Sequence, residues 1–109
     1  MKKGDLWITQ YPFKGGREQS GKRPSIVMVD TDANVVIVIP LTSNLESLEK
    51  FSNTIKIIKT DANGFDWDSV ALVLQIQVLD KNNFTSKVGN LENNYLEEIN
   101  KNLKQLLQL

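Results

Sequence analysis

Two short segments of this 109-residue chain carry side chains suited to handling a phosphate group. The first runs from Lys14 to Arg23 and gathers Lys14, Arg17, Lys22 and Arg23 around Glu18 and Gln19, with glycines at 15, 16 and 21. Arg23 precedes Pro24, which biases its backbone toward extended geometry at a strand entrance. Its planar guanidinium can bind two phosphate oxygens at once. With a reference pKa above about 12 it keeps its proton near neutral pH, so it suits stabilisation of negative charge rather than general-base work. The second segment, Thr42-Ser43-Asn44, closes an apolar run, where a hydroxyl can donate to a phosphate oxygen or orient an attacking group. Ser43 followed by Glu46 also fits a helix capping box, and on residue chemistry alone capping is the preferred reading of both Thr42 and Ser43. Glu18, the only carboxylate of the basic loop, can serve as a base or hold Arg17, Lys22 or Arg23; a solvated surface Glu is the plainer reading.

Composition narrows the chemistry further. The chain contains no cysteine and no histidine, which removes disulfides, thiolate catalysis, zinc-thiolate sites and the commonest general base. Net charge is zero, yet residues 1–29 carry Lys2, Lys3, Lys14, Arg17, Lys22 and Arg23 against Asp5 and Glu18, a local +4 balanced by −4 in the remainder. Tyr11 and Phe13 flank this region and can stack on unpaired bases or fill the core. Asp66 and Asp68 flank Trp67 without a third ligand in view and read as turn residues, so neither a metal nor a cofactor is expected. The longest apolar run, Val35 to Leu41, is far too short for a bilayer, and Gly4-Asp5 follows Met1-Lys2-Lys3 where a leader would need an apolar stretch. A cytoplasmic protein with no membrane partner is expected.

The elements that must position these residues are mostly strands. Gly4 to Gln10 suits a pleated surface and is stopped by Tyr11-Pro12. Lys14 to Gly21 reads as an exposed loop. Ser25 to Asp30 and Val35 to Leu41 form an antiparallel hairpin across the turn at Thr31 to Asn34. A short helix is expected through about Lys50, then a half-exposed strand over Asn53 to Lys59, a turn at Asp61 to Gly64, and one continuous apolar strand-like run from Ser69 to Leu79. From Tyr95 the period becomes helical, with Tyr95, Leu96, Ile99, Leu103, Leu106 and Leu107 on one stripe. This order predicts a mainly β (α+β) chain, a single domain over 1–109 built as a small barrel-like sheet with a C-terminal amphipathic helix packed on it.

Several segments together resemble the MazF/PemK-like toxins of bacterial type II toxin–antitoxin pairs. They are Gly4-Asp5-Leu6-Trp7, the loop Gly15 to Pro24, Pro40-Leu41-Thr42-Ser43-Asn44, the stretch Ser69-Val70-Ala71-Leu72 through Gln75-Ile76 to Leu79-Asp80-Lys81, and Lys87-Val88-Gly89 before the last helix. The specific part is their order and spacing across nearly the whole chain. The resemblance implies an SH3-like barrel, a homodimer, an antitoxin partner and metal-independent, sequence-selective cleavage of single-stranded RNA. By motif position it puts the catalytic pair at Arg23 and Thr42. Lys14, Arg17, Glu18, Gln19, Lys22, Ser43, Gln75 and Gln77 are the expected substrate contacts. Leu74 and Gln77 stand where family members commonly carry Asp and Arg, so a weakly active or inactive module binding RNA or antitoxin is the competing reading. A gyrase poison of the CcdB type ranks last, because the chain ends Leu106-Leu107-Gln108-Leu109 rather than Trp-Gly-Ile.

Overall fold

A computed structural model of the chain describes residues 1–12 and 21–109. Seven strands appear, β1 (Asp5–Tyr11), β2 (Gly21–Asp30), β3 (Val35–Thr42), β4 (Thr54–Ile57), β5 (Ser69–Leu72), β6 (Gln77–Asp80) and β7 (Phe84–Asn90), with a one-turn helix α1 (Ser47–Lys50) and a terminal helix α2 (Asn93–Leu106). The strand order is β4-β5-β3-β2-β1-β7, with β6 pairing β3, and every pairing is antiparallel. The chain is therefore mainly β with a C-terminal helix, as its patterning predicts.

Alternation sorts the apolar residues onto two faces of the sheet. Leu6, Ile26, Met28, Ile39 and Leu41 enter one core together with Ile55, Ile57 and Ile99 of α2, while Tyr11, Val27, Val36, Val38 and Leu79 form a second cluster edged by Trp7 and Phe84. The two prolines inside strands sit where a ladder is missing on one side. Pro24 lies in the stretch of β2 that faces β1 but precedes the β2–β3 pairing, which begins at Ser25. Pro40 falls where the outer neighbour of β3 changes from β6, paired through Val38, to β5, paired from Leu41. A missing N–H is least costly at such positions.

The two ends of the strand order are brought together by the segment after β4. The Asn90 N–H donates to the Ala62 carbonyl at 3.1 Å, tying residues 60–64 to β7. Gly64 has φ +73°, and a Cβ there would stand 2.4 Å from the Val88 carbonyl oxygen; a Cβ on Gly89 would stand 2.6 Å from that of Asn63. Asn63 is fully buried at this junction. Its Oδ1 accepts from the Thr60 and Phe65 N–H groups at 2.9 and 3.3 Å, and its Nδ2 donates to the Ile58 carbonyl at 2.9 Å.

Three expectations are corrected, and one strand, β7, is not anticipated by the sequence. β2 begins at Gly21 rather than at Ser25, so Arg23 lies within a strand opposite Thr9. The run Ser69 to Leu79 is two strands, broken by a 3-10 turn at Val73–Gln75, where residues 39 and 40 of β3 pair with β2 on one side but with neither β5 nor β6 on the other. β7 lies over residues whose polar composition hides an edge strand. Ser43 and Glu46 do not form a capping box: Glu46 itself occupies the N-cap of α1, and the Asn44 side chain accepts from the Glu46 N–H at 3.1 Å.

Gly64→Ala is expected to destabilise the fold by roughly 2–4 kcal/mol, since it combines a left-handed backbone with a backbone clash. Ile99→Ala, which empties the contact between α2 and the sheet, is expected to cost about 2–5 kcal/mol. Urea unfolding of both variants would measure this.

Candidate functional site

Arg23 is held through its main chain. The Thr9 hydroxyl donates to the Arg23 carbonyl at 2.9 Å and lies 2.7 Å from the Ser25 hydroxyl, which in turn bonds the Tyr11 phenol. Thr9, Ser25 and Tyr11 are all buried, so this chain of hydroxyls satisfies three polar groups that would otherwise be costly inside the sheet. The pairing Thr9 to Arg23 and Trp7 to Ser25 puts the four side chains on one face of β1 and β2. Burial pushes the Tyr11 hydroxyl up to about 12, against the opposing pull of its bonds to Ser25 and Thr9 and of the nearby Arg23 charge.

Thr42 is the last residue of β3 and is buried, with its hydroxyl accepting the Asn44 N–H at 3.2 Å. This is the local turn bond that its residue type favours. It uses one lone pair and leaves the hydroxyl proton available to a ligand oxygen. The structural role and the chemical role are therefore compatible at Thr42.

Both residues line one cleft of about 390 Å³. Its walls are Ile8, Lys22, Arg23 and Pro24 from β1 and β2, Leu41, Thr42 and Ser43 from the end of β3, Gly64 to Trp67 with Ser69, and Val88 of β7. Among the described residues the lining holds two cations, Lys22 and Arg23, and one carboxylate, Asp66, a net positive set that suits an anionic ligand. Ser43 is exposed on this wall.

Of the other expected contacts, Gln75 and Gln77 are described and are not in the cleft lining. Gln77 lies on β6 opposite Val38, and its side chain donates to the Gln75 carbonyl at 3.1 Å, while the Gln75 Oε1 is buried with no partner among the described residues. Lys14, Arg17, Glu18, Gln19 and Phe13 lie outside the described residues. Asp68 accepts the Lys59 N–H at 2.9 Å, the turn role read from sequence, whereas Asp66 borders the cleft. Among the described residues no three of His, Cys, Asp and Glu gather as a metal site. Sequence reasoning passed over Trp67, which lines the cleft at 65% exposure; a tryptophan in a polar turn was the available signal.

Comparison with known proteins decides the family. Residues 2–107 match the family model described as the PemK-like, MazF-like toxin of type II toxin–antitoxin systems. The chain belongs to this family. Among curated MazF-like relatives, the endoribonuclease MazF of Staphylococcus saprophyticus is 31% identical, covering 92% of this chain and 85% of its own. Endoribonuclease EndoA of Bacillus subtilis is 28% identical, covering 100% of this chain and 96% of its own. In fold, a crystal structure of MazF from Deinococcus radiodurans superposes with a TM-score of 0.81 at 18% identity, covering 100% and 97% of the two chains. A MazE–MazF structure from the same organism gives 0.74 at 19% identity, over 100% of this chain and 96% of that one. No helix among the described residues of this MazF-like chain is long and apolar enough to cross a membrane.

The hydroxyl chain behind Arg23 has a measurable signature. Below about pH 10 the Tyr11 phenol is protonated in both folded and unfolded chains and contributes no pH dependence. As pH rises toward about 12 only the unfolded chain releases the proton, so stability falls. At roughly 1.4 kcal/mol per unit the loss is about 2–3 kcal/mol. Urea midpoints at pH 9 and 11.5 should show this component in the wild type, and Tyr11→Phe should lack it.

Proposed function

We propose that this toxin-family chain is a metal-independent endoribonuclease that cuts single-stranded RNA at a preferred sequence by using the substrate's own 2′-hydroxyl. The observation that carries the reading is the single cleft in which Arg23 and Thr42, distant in sequence, meet beside Lys22. Its curated relatives are named endoribonucleases, and the chain spans most of their length.

In this reading the 2′-oxygen attacks the adjacent phosphorus and the bond to the 5′-oxygen breaks. The 2′-hydroxyl gives up its proton as the new bond to phosphorus forms, and the leaving 5′-oxygen takes one up, so the products are a 2′,3′-cyclic phosphate and a 5′-hydroxyl with no net change in protons. Arg23 clamps the phosphate and stabilises the charge added to its oxygens. Thr42 donates its remaining hydroxyl proton to a phosphate oxygen and so aligns the reacting group. Lys22 attracts the backbone. The contacts proposed for Lys14, Arg17, Glu18 and Gln19 come from the sequence segment just before β2, and Ser43 sits on the cleft wall beside Thr42.

The chain is further proposed to act in the cytoplasm, as a homodimer, under the control of an antitoxin. Related structures include the MazE–MazF pair and a mycobacterial endoribonuclease with its cognate antitoxin. Support for a second copy comes from Val29, Ile37 and Val78, which lie side by side across β2, β3 and β6, with Val29 and Val78 about half exposed. An apolar row of this kind invites a covering surface.

Purified protein incubated with single-stranded RNA in EDTA is expected to cleave it and leave 5′-hydroxyl ends. Arg23→Ala should lose on the order of a hundredfold in rate, as for removal of an oxyanion-type donor worth roughly 3 kcal/mol. Wild-type activity equal to that of Arg23→Ala would sink the assignment. Binding of RNA without turnover would instead favour a non-catalytic module. By light scattering, Val78→Lys should lower the dimer fraction relative to wild type.

A further inference from the structure

Among the described residues Trp67 is the most exposed aromatic side chain lining the cleft, and its exposure is not that of a loose loop. The segment carrying it is fixed on both sides. Upstream, buried Asn63 bonds the Phe65 N–H, and the Phe65 ring packs against the main core. Downstream, Asp68 accepts the Lys59 N–H at 2.9 Å, and Ser69 begins β5 with its hydroxyl 3.4 Å from the Trp67 carbonyl. The backbone is thus held in place while 65% of the indole's residue surface stays in water. Holding a large apolar ring in solvent contributes nothing to folding, whereas a pre-positioned ring lowers the ordering cost of a ligand.

The ring borders the same cleft as Lys22 and Arg23. A ligand that satisfies both features has negative charge spaced along a backbone and flat apolar faces beside it. An unpaired nucleotide has that form, because every base offers a π-face once it is unstacked from its neighbours.

We propose that Trp67 is the stacking platform for an unpaired base of the RNA strand, next to the phosphate clamped by Arg23. The proposal rests on the nuclease reading for its choice of ligand, but its test does not depend on cleavage. Trp67 contributes grip and register on the strand, and Arg23 with Thr42 act on the phosphate.

The experiment uses the full chain and a 2′-O-methyl oligoribonucleotide, which lacks the attacking hydroxyl, together with an abasic oligomer carrying the same phosphates. Wild-type tryptophan fluorescence should be quenched by the base-bearing oligomer and not by the abasic one. Trp67→Ala should lose that quenching and bind the base-bearing oligomer about tenfold more weakly, with Trp67→Phe recovering most of the affinity. Both variants should bind the abasic oligomer as wild type does and melt at the wild-type temperature. On cleavable RNA the loss should fall on KM.

Equal affinity of wild type and Trp67→Ala for the base-bearing oligomer would overturn the proposal. So would equal losses on the abasic oligomer, or a loss confined to binding of an antitoxin. Cleavage that ignores Trp67 would leave the nuclease reading standing without the platform. Trp67-dependent binding with no cleavage would do the reverse.

Discussion

The backbone of residues 62–64 lies so close to β7 that no Cβ fits between them, and the rest of the molecule is arranged around that approach. Gly64 and Gly89 make it possible, and the Asn90 to Ala62 hydrogen bond and the Asn63 side chain hold it. Through it the strand order, which starts at β4 and finishes at β7, turns back on itself instead of remaining an open sheet. The same approach carries Asp66 and Trp67 to the wall that faces β1 and β2. Fold closure and assembly of the cleft are one event.

That coupling explains which parts of the structure were legible in the sequence. β1, β3 and the later half of β2 announce themselves as short runs of β-favouring apolar residues bounded by turn residues, and α2 by a stripe with helical period, signals set by local composition and geometry. Gly21-Lys22-Arg23-Pro24 reads as loop because its residue types favour turns; it is drawn into a strand by pairing with β1, a contact sequence pattern does not encode. β7 is invisible for a related reason. An edge strand with one solvated side needs little apolar content: Phe84, Val88 and Gly89 are half-buried and the other residues of β7 are exposed. The continuous apolar run after Ser69 hid its own break, since the 3-10 turn falls where the outer side of β3 passes from pairing with β6 to pairing with β5.

The site divides along the same line. Arg23 and Thr42 were nameable as a pair only through resemblance to a family, because residue chemistry alone favoured a cap at Thr42. The structure shows why the local reading was reasonable: the hydroxyl does accept a turn N–H, from Asn44. Ser43 and Glu46 had the right spacing for a box, yet Asn44 reached the Glu46 N–H instead. Asp66 and Trp67 could not be attached to the site from sequence. Their place beside Arg23 depends on the distant meeting of Gly64 with β7.

The hydroxyl chain from Tyr11 through Ser25 and Thr9 ends on the carbonyl of residue 23, an atom that every amino acid supplies. This part of the anchorage of the position is therefore made without its side chain. Under the proposed role of Arg23, replacing the guanidinium would remove the phosphate clamp while leaving this main-chain anchor in place, so activity and architecture would be separable at one position.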